Sequence, residues 1–176
     1  MINLKQFCST DKLRPYLHEP FSFGEYTYAT NGYILIRVPR LTEYPEVEKA
    51  PAKAAEERFS SRAVYRMQPL PAYRFPEPEK VKCSGCDGRG HEHDCPDCTC
   101  ECEDCNGMGW IRERISAALG AAVFDAEYLS WIAALPGVIV PTEPSPTKPM
   151  PFTFDGGEGV LMPRRGPAEK HIEPLP

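Results

Sequence analysis

The sequence lacks the features of a membrane or secreted protein. No stretch of its 176 residues approaches the roughly 20 consecutive apolar residues that a membrane-spanning helix needs. The N-terminal residues, MINLKQFCSTDK, contain no apolar run that could act as a signal peptide. We therefore expect a protein of the reducing cytoplasm with no membrane partner, in which cysteines stay free or bind metal.

The motifs of common enzyme classes are also missing. There is no Gly-x-Ser-x-Gly sequence for a hydrolase nucleophile and no glycine-rich loop of the kind that binds nucleotide phosphates. Two of the four histidines, His18 and His171, stand alone in the sequence. The net charge of −5 argues against nucleic-acid binding over the whole surface, although a local basic face is compatible with it. These absences favour a protein without catalytic activity.

Cysteine, by contrast, is concentrated in one stretch. Seven of the eight cysteines lie in residues 83–109, where they form three Cys-x-x-Cys pairs and one extra thiol. Fifteen residues separate the outer pairs, which is the spacing of a structural zinc ribbon. Two residues between cysteines let one tight turn aim both sulfur atoms at the same tetrahedral ion. The spacing therefore predicts a zinc site formed by Cys83, Cys86, Cys102 and Cys105.

A Gly-x-Gly sequence follows each outer pair, at Gly88 and Gly90 and again at Gly107 and Gly109. Glycine permits positive φ, so backbone amides can turn toward thiolate sulfur and close a knuckle around the metal. A disulfide framework would need an oxidising compartment, and a redox Cys-x-x-Cys normally occurs singly beside a βαβ unit. The pattern favours metal binding over both.

The repeated pattern Cys-x-x-Cys-x-Gly-x-Gly resembles the zinc module of DnaJ-type chaperones. In that family the first and last repeats share one zinc, so the resemblance implies the same four ligands. DnaJ modules carry two further repeats for a second zinc, whereas the middle of this stretch has no Gly-x-Gly. A second zinc could be bound there by Cys95 and Cys98 with two of His91, His93 and Cys100. We therefore expect one zinc ion, with two as an open alternative.

Around the cysteine stretch, the patterns predict an α+β fold dominated by antiparallel strands. Residues 21–39 are rich in aromatic and β-branched residues, and Asn31-Gly32 predicts a type I′ turn between two strands with one face on a core. The tyrosines of this segment could form a base-stacking platform, although sheet packing is the more common role. Cys8, which lies alone near the N-terminus, is expected to be a buried small hydrophobe.

The rest of the chain supplies helices, further strands and a tail. Residues 50–59 predict a helix with Pro51 near its start. Residues 80–82 and 110–115 predict two antiparallel strands that carry the zinc module at their tip. Asp125 is the expected N-cap of a helix that ends at Pro136-Gly137, and three closing strands are expected at Val138–Val140, Phe152–Phe154 and Gly159–Met162. We predict one domain from residues 1–82 and 110–165, an inserted module at 83–109 and a disordered tail at 166–176.

Several short segments resemble the sliding clamps of bacteria, the β subunits of the replicative polymerase. Tyr-Ala-Thr-Asn-Gly-Tyr-Ile-Leu at 28–35 is similar to the clamp signature Ala-Thr-Asp-Gly-His-Arg-Leu. Residues 124–129 and 159–165 are similar to the helix and the closing strand of the last clamp domain. The resemblance implies a single clamp-like domain, an antiparallel sheet with one or two helices, whereas a clamp ring contains six domains. We expect such a small protein, with its zinc module, to be encoded by a phage or prophage.

The charge of the zinc module indicates which class of partner it could contact. Between His91 and Cys105 there are six acidic residues and no Lys or Arg, so this tip should repel phosphate and suits docking on a basic protein surface. Our leading hypothesis is a non-enzymatic zinc-binding protein that acts through protein contacts on host replication or defence machinery in the host cytoplasm. One alternative is a DNA-associated clamp-like factor that oligomerises and contacts DNA through a basic face containing Arg14, Arg37, Arg62 and Arg66. A zinc-dependent enzyme is the second alternative, and it would require an open second zinc site.

Overall fold

The computed structural model describes residues 2–47, 50–60, 65–91, 100–165 and 170–176, with only the backbone described at 50–52 and 60. Within these ranges the chain forms three β-sheets and two α-helices. The predicted α+β class is therefore confirmed. Among the described residues, neither α-helix has the length and apolar composition of a membrane-spanning segment.

The largest element is a seven-stranded sheet in which every neighbouring pair of strands is antiparallel. The predicted closing strands are present in it, with bounds shifted by one or two residues. From one edge to the other, the order of strands is β1 (Phe21–Phe23), β2 (Tyr26–Thr30), β3 (Ile34–Pro39), β11 (Gly157–Leu161), β10 (Met150–Phe154), β9 (Ile139–Pro141) and β4 (Met67–Pro69).

Both faces of this sheet are covered, whereas the sequence predicted a core on one face of β2 and β3. Ala29 and Ile36 lie in the main core, together with Phe124 and Leu129 of the second layer. Tyr28 and Leu35 face the opposite way and pack in a smaller cluster with Phe59 of helix α1 (Ala50–Ser60). The helix itself was predicted at this position. Because it covers the second face, the alternating residues of β2 and β3 are buried on both sides.

The Asn31-Gly32 turn joins β2 to β3, but it is not the predicted type I′ turn. Gly32 has a φ of 92°, while Asn31 is not among the positive-φ residues of the described chain. The Asn31 side chain instead organises the turn, because its Oδ1 accepts the N–H groups of Tyr33 at 2.9 Å and Ile34 at 3.0 Å. The N–H of Met162 donates to the carbonyl of Tyr33 at 2.8 Å and ties the turn to the end of β11.

The second layer consists of a small sheet and helix α2 (Ala126–Ala133). The sheet contains β7 (Ile115–Leu119), β8 (Ala122–Asp125) and β12 (Lys170–Ile172). Asp125 is the N-cap of α2, as predicted, and its Oδ1 accepts the N–H of Glu127 at 3.0 Å.

The prediction of a disordered tail is wrong for residues 170–176. Strand β12 runs parallel to β7, and the N–H of Leu175 donates to the carbonyl of Ala72 at 2.8 Å. Ile172 also packs against the main core. The prolines of this segment do not prevent pairing because none of them lies in the three paired residues. Residues 166–169 lie outside the described ranges.

The N-terminal segment forms two short 3₁₀ helices, Leu4–Phe7 and Pro15–Leu17, and Leu4 and Phe7 of the first lie in the main core. Cys8 follows the first and is buried in the core cluster, as the sequence predicted. Burial raises the pKa of its thiol to about 11. Cys8 therefore has a packing role.

Candidate metal centre

The cysteine stretch is carried by a separate two-stranded hairpin. Strands β5 (Lys80–Lys82) and β6 (Trp110–Arg112) pair in antiparallel register, with Lys82 opposite Trp110. The Nζ atom of Lys80 lies 4.0 Å from the centroid of the Trp110 ring, a cation–π contact that ties the two strands together. The cysteine stretch begins directly after Lys82 and ends directly before Trp110, so it connects the two strands at the tip of the hairpin, as predicted. The predicted continuous strand 110–115 is instead divided, because β6 ends at Arg112 and β7 begins at Ile115.

Four sulfur atoms meet at the tip. The Sγ atoms of Cys83, Cys86, Cys102 and Cys105 all lie within 4.8 Å of one another, and all four residues are buried. The Cys83 and Cys102 sulfurs are 3.8 Å apart, and those of Cys86 and Cys105 are 3.7 Å apart. Four zinc–sulfur bonds of about 2.3 Å at tetrahedral angles would separate the sulfurs by about 3.8 Å. The cluster therefore has the size of one four-coordinate metal site, formed by the residues that the spacing predicted.

The two halves of the site are related by an approximate repeat. In the first knuckle, Gly88 and Arg89 donate their N–H groups to the carbonyls of Cys83 and Cys86, at 3.0 and 3.1 Å. The equivalent residues of the second knuckle, Gly107 and Met108, donate to the carbonyls of Cys102 and Cys105 at 3.2 and 3.1 Å. The halves are also joined, because Cys102 donates its N–H to the Gly90 carbonyl and Cys83 to the Gly109 carbonyl.

Backbone amides point at two of the sulfurs, as the Gly-x-Gly pattern predicted. The N–H of Gly90 donates to Cys86 Sγ, and the N–H of Gly109 donates to Cys105 Sγ, both at 3.2 Å. Such bonds stabilise thiolate charge and orient the ligand toward the metal. Positive φ occurs at the matching positions Asp87 and Asn106, at 51° and 49°, which lets each knuckle turn tightly.

Two of the four thiols have shifted pKa values. Burial opposes ionisation of Cys86, but hydrogen bonds from the Gly90 amide and from the other three thiols outweigh it and lower the pKa of Cys86 to about 7. Burial raises the pKa of Cys102 to about 12. A divalent cation bound by the four residues would hold all four thiols in the deprotonated form.

The second candidate site is only partly described. His91 lies beside the four-cysteine cluster, where its Nδ1 is 2.9 Å from the Arg89 carbonyl oxygen, and Cys100 is exposed. His93, Cys95 and Cys98 lie outside the described ranges. In the part of the chain that the structure describes, the four-cysteine cluster is the single group with metal-binding geometry. A second zinc ion therefore stays a prediction.

The three described candidates for nucleic-acid contact, Arg14, Arg37 and Arg66, lie in different surroundings. The prediction that Arg37 contacts DNA is corrected by the structure, because its side chain is only 8% exposed and pairs with Glu158 at 2.6 Å. Its guanidinium carbon lies 4.1 Å from the centroids of both the Tyr26 and Phe59 rings, so Arg37 has a role in the fold. Arg14 packs against the β2–β3 turn, while Arg66 is exposed beside the edge strand β4. Arg62 lies outside the described ranges.

One group of residues was not recognised from the sequence. Tyr33, in the β2–β3 turn, stacks on Tyr128 of helix α2, with ring centroids 6.1 Å apart and planes 18° apart. Two hollows border both tyrosines, and arginines from three segments distant in sequence, Arg14, Arg114 and Arg165, are among the residues that line them. The available signals were a tyrosine in a turn, which we expected to pack in the sheet, and the Arg-Arg pair that follows β11, which we placed in the segment similar to the closing strand of a clamp.

Comparison of the chain with protein families, curated proteins and solved structures finds no match. The fold and the site define the protein as an α+β protein with a hairpin whose four buried cysteines lie at metal-binding distance. The resemblances to DnaJ modules and sliding clamps stay predictions from sequence, as does a phage origin.

Proposed function

We propose that this is a non-enzymatic zinc-binding protein, in which Zn²⁺ bound by Cys83, Cys86, Cys102 and Cys105 has a structural role. The observation that carries the proposal is the convergence of four buried sulfur atoms at tetrahedral spacing. Four thiolates satisfy zinc completely, and closed sites of this kind stabilise folds. The resemblance of the two knuckles to DnaJ-type repeats supports zinc over other divalent metals.

The same geometry argues against catalysis at this centre. A catalytic zinc keeps a coordination position for water or substrate, usually beside His or carboxylate ligands. Here all four positions would be occupied by cysteine, and each of the four residues is 0–2% exposed. A substrate would have to displace a thiolate to reach the metal.

We propose that the zinc-stabilised hairpin is presented to a protein partner with a basic surface. The second knuckle projects three exposed acidic side chains, Glu101, Glu103 and Asp104, whereas Asp87 of the first knuckle pairs with Lys82 at 2.7 Å. Met108, 53% exposed at the tip of the second knuckle, adds an apolar contact residue. This charge disfavours phosphate and favours lysine- and arginine-rich protein surfaces. The resemblance to sliding clamps makes replication machinery the first class of partner to test.

A charge-reversal experiment tests the partner proposal. The full-length protein is immobilised and exposed to soluble bacterial proteins, and the retained proteins are identified by mass spectrometry. Glu103→Lys with Asp104→Lys should release a specific basic partner. The matched control, Glu43→Lys with Glu143→Lys, changes the net charge equally at exposed residues of the main domain and should retain that partner. Identical sets of proteins on both variants would contradict the proposal.

A further inference from the structure

The side of the seven-stranded sheet that packs on helix α1 extends beyond the helix. Phe59 of α1 packs in one cluster with Val160 of β11. On the next strand, β10, Pro151 lies opposite Val160 and Thr153 lies opposite Glu158, so these residues continue the same side of the sheet. Thr153 is exposed and Pro151 is half-buried. Within the described structure, β10 therefore presents an accessible surface beside the last turn of α1.

A hollow of about 550 Å³ lies between the last turn of α1 and this surface. Apolar side chains form much of its lining, among them Phe59, Met67 of β4, Pro149, Pro151 and Val160. Met67 is 38% exposed, so part of this apolar lining is in contact with water. Small-molecule sites are typically hollows of roughly 300–1,000 Å³ that are mostly apolar and contain a few polar groups to orient the ligand. The hollow therefore has the size and lining for one small molecule with an apolar body.

Two cations lie at one end of this hollow. Arg58 and Lys148 both line it, both are exposed, and neither forms an ion pair within the described part of the chain. Arg58 also lines an adjoining hollow together with Pro149, the neighbour of Lys148, so both cations belong to the end where β10 begins. An anionic group at this end would have two charged donors within reach.

The acidic residues of the lining do not occupy these donors. They are Glu57 and Glu158. Glu158 pairs with Arg37 at 2.6 Å and lies near the start of β11, which is opposite the end of β10. Adjacent residues of a helix do not face each other, so Glu57 does not neutralise Arg58 directly. The end of the hollow at Arg58 and Lys148 is therefore open to an anion.

We propose that this hollow binds a free amphiphilic monocarboxylate, with its carboxylate at Arg58 and Lys148. Its apolar chain extends over Phe59, Val160 and Met67. Arginine can bind a carboxylate through two parallel N–H donors, while burial of the apolar chain supplies most of the affinity. A cationic amphiphile would place its charge beside two like charges and should be disfavoured. This site is separate from the zinc hairpin and goes beyond the function proposed above.

Isothermal titration calorimetry of the zinc-loaded, full-length protein tests the proposal. The probes are sodium decanoate and decylamine, which have similar chains and opposite charges, used below their micelle-forming concentrations. We expect saturable binding of one decanoate per chain, tighter than the binding of decylamine. From hexanoate to octanoate to decanoate, the affinity should rise about 5- to 15-fold at each step, because each step adds two buried methylenes.

Variants separate the cationic end from the apolar body of the hollow. Arg58→Gln and Lys148→Gln should each weaken decanoate binding about two- to fivefold, and together they should remove the preference for decanoate over decylamine. Lys53→Gln, at an exposed lysine of the same helix that does not line the hollow, is the matched control and should leave binding unchanged.

A second variant fills the hollow. Thr153 is exposed on the β10 surface, so Thr153→Trp can place a large ring in the hollow without disturbing the core. It should weaken decanoate binding at least about tenfold, since the apolar chain loses its space. Thr10→Trp, at an exposed threonine elsewhere on the surface, should leave binding unchanged.

Four results would overturn the proposal. They are the absence of saturable decanoate binding, equal or tighter binding of decylamine, an unchanged decanoate affinity in Thr153→Trp, and a concentration-dependent dimer of the unmodified protein that Thr153→Trp abolishes. The last result would assign the hollow to a second copy of the chain. Circular dichroism of each variant shows whether the fold is retained, and the two glutamine variants keep the test valid if Thr153→Trp is less stable.

Discussion

Gly90 and Gly109 occupy equivalent positions in the two knuckles and approach the opposite knuckle too closely for any side chain. A Cβ on Gly90 would lie 2.4 Å from the Gly107 carbonyl oxygen, and a Cβ on Gly109 would lie 2.4 Å from the Gly88 carbonyl oxygen. Both glycines also have positive φ, at 82° and 76°. The second glycine of each Gly-x-Gly therefore allows the two halves of the metal centre to meet.

Replacement of either glycine should weaken the metal site. Alanine at Gly90 or Gly109 would clash with the backbone of the opposite knuckle. It would also have to adopt positive φ, which costs roughly 1–2 kcal/mol for a residue with a Cβ. We therefore expect Gly90→Ala and Gly109→Ala each to lower zinc affinity about tenfold or more. Competition with a chromogenic chelator measures this. Gly24→Ala is the matched control, because Gly24 has a φ of 58° but no atom within 4 Å of the added Cβ. Equal zinc affinities in all three variants would be inconsistent with the proposed contact.

Arg37 should be important for stability. Its guanidinium contacts Glu158 at 2.6 Å and lies against two aromatic rings. Arg37→Met removes the cation that faces a partly buried carboxylate, so we expect the free energy of unfolding to fall by about 2–4 kcal/mol in urea denaturation. Arg37→Lys should recover only part of this loss, because an ammonium lacks the planar fork.

The exposed pair between Arg40 and Glu46 provides the control for this experiment. Its side chains are 40% and 49% exposed, so Arg40→Met should change stability little. Similar losses in the Arg37 and Arg40 variants would show that burial of Arg37 is not the cause.

Ionisation of Tyr28 should lower the stability of the protein at alkaline pH. Burial raises the pKa of Tyr28 to about 12. The hydroxyl donates a hydrogen bond to Glu56 Oε2 at 2.7 Å, and this bond also raises the pKa. Because the folded state favours the neutral phenol, this contribution is complete below pH of about 10 and is lost as pH rises through about 12. We expect the urea midpoint to fall over this interval, and to fall less in Tyr28→Phe.

Tyr16→Phe serves as the control for alkaline pH, since Tyr16 is 62% exposed. Its urea midpoint should fall with pH to the same extent as that of the unmodified protein. Tyr73 and Tyr128 also have pKa values raised to about 12 by burial, so Tyr28→Phe should reduce the decline without abolishing it. Parallel pH profiles for the unmodified protein and Tyr28→Phe would rule out the assignment.

Metal removal should unfold the hairpin and leave the main domain folded. The four cysteines form a cluster of their own, and among the described residues Ile111 is the hydrophobic residue packed against it. Little apolar area therefore remains to hold the knuckles together without a metal. After treatment with a chelator, hydrogen exchange should accelerate at 83–91 and 100–109, while β2, β3 and β11 stay protected. Loss of protection throughout the chain would mean that the metal stabilises the whole fold.

The metal centre was predictable from sequence because its information is local. Two residues between cysteines and a glycine four residues after Cys86 and Cys105 define each knuckle without reference to the rest of the fold. The N-cap Asp125 was likewise predictable from nearby residues. The burial of Arg37 was not, because Glu158 lies 121 positions away and reaches it only through the pairing of β3 with β11.

Other features could not be predicted because they too depend on contacts formed only in the folded protein. The turn at Asn31 depends on side-chain hydrogen bonds that a dipeptide pattern does not contain. Strand β12 depends on an edge of β7 that exists only in the folded protein. The arginine-lined hollows beside Tyr33 combine segments from both ends of the chain, so no sequence window contains them.

Native mass spectrometry of the full-length protein purified without chelator tests the central claim most directly, because the mass gives zinc ions per chain. We predict zinc at the four-cysteine site, with one ion lost in Cys83→Ser and retained in Cys100→Ser, whose thiol is exposed and outside the cluster. A second ion in the unmodified protein would support the additional site that includes His91 and Cys100. A metal-free unmodified protein, or a Cys83→Ser variant with undiminished zinc, would contradict the account.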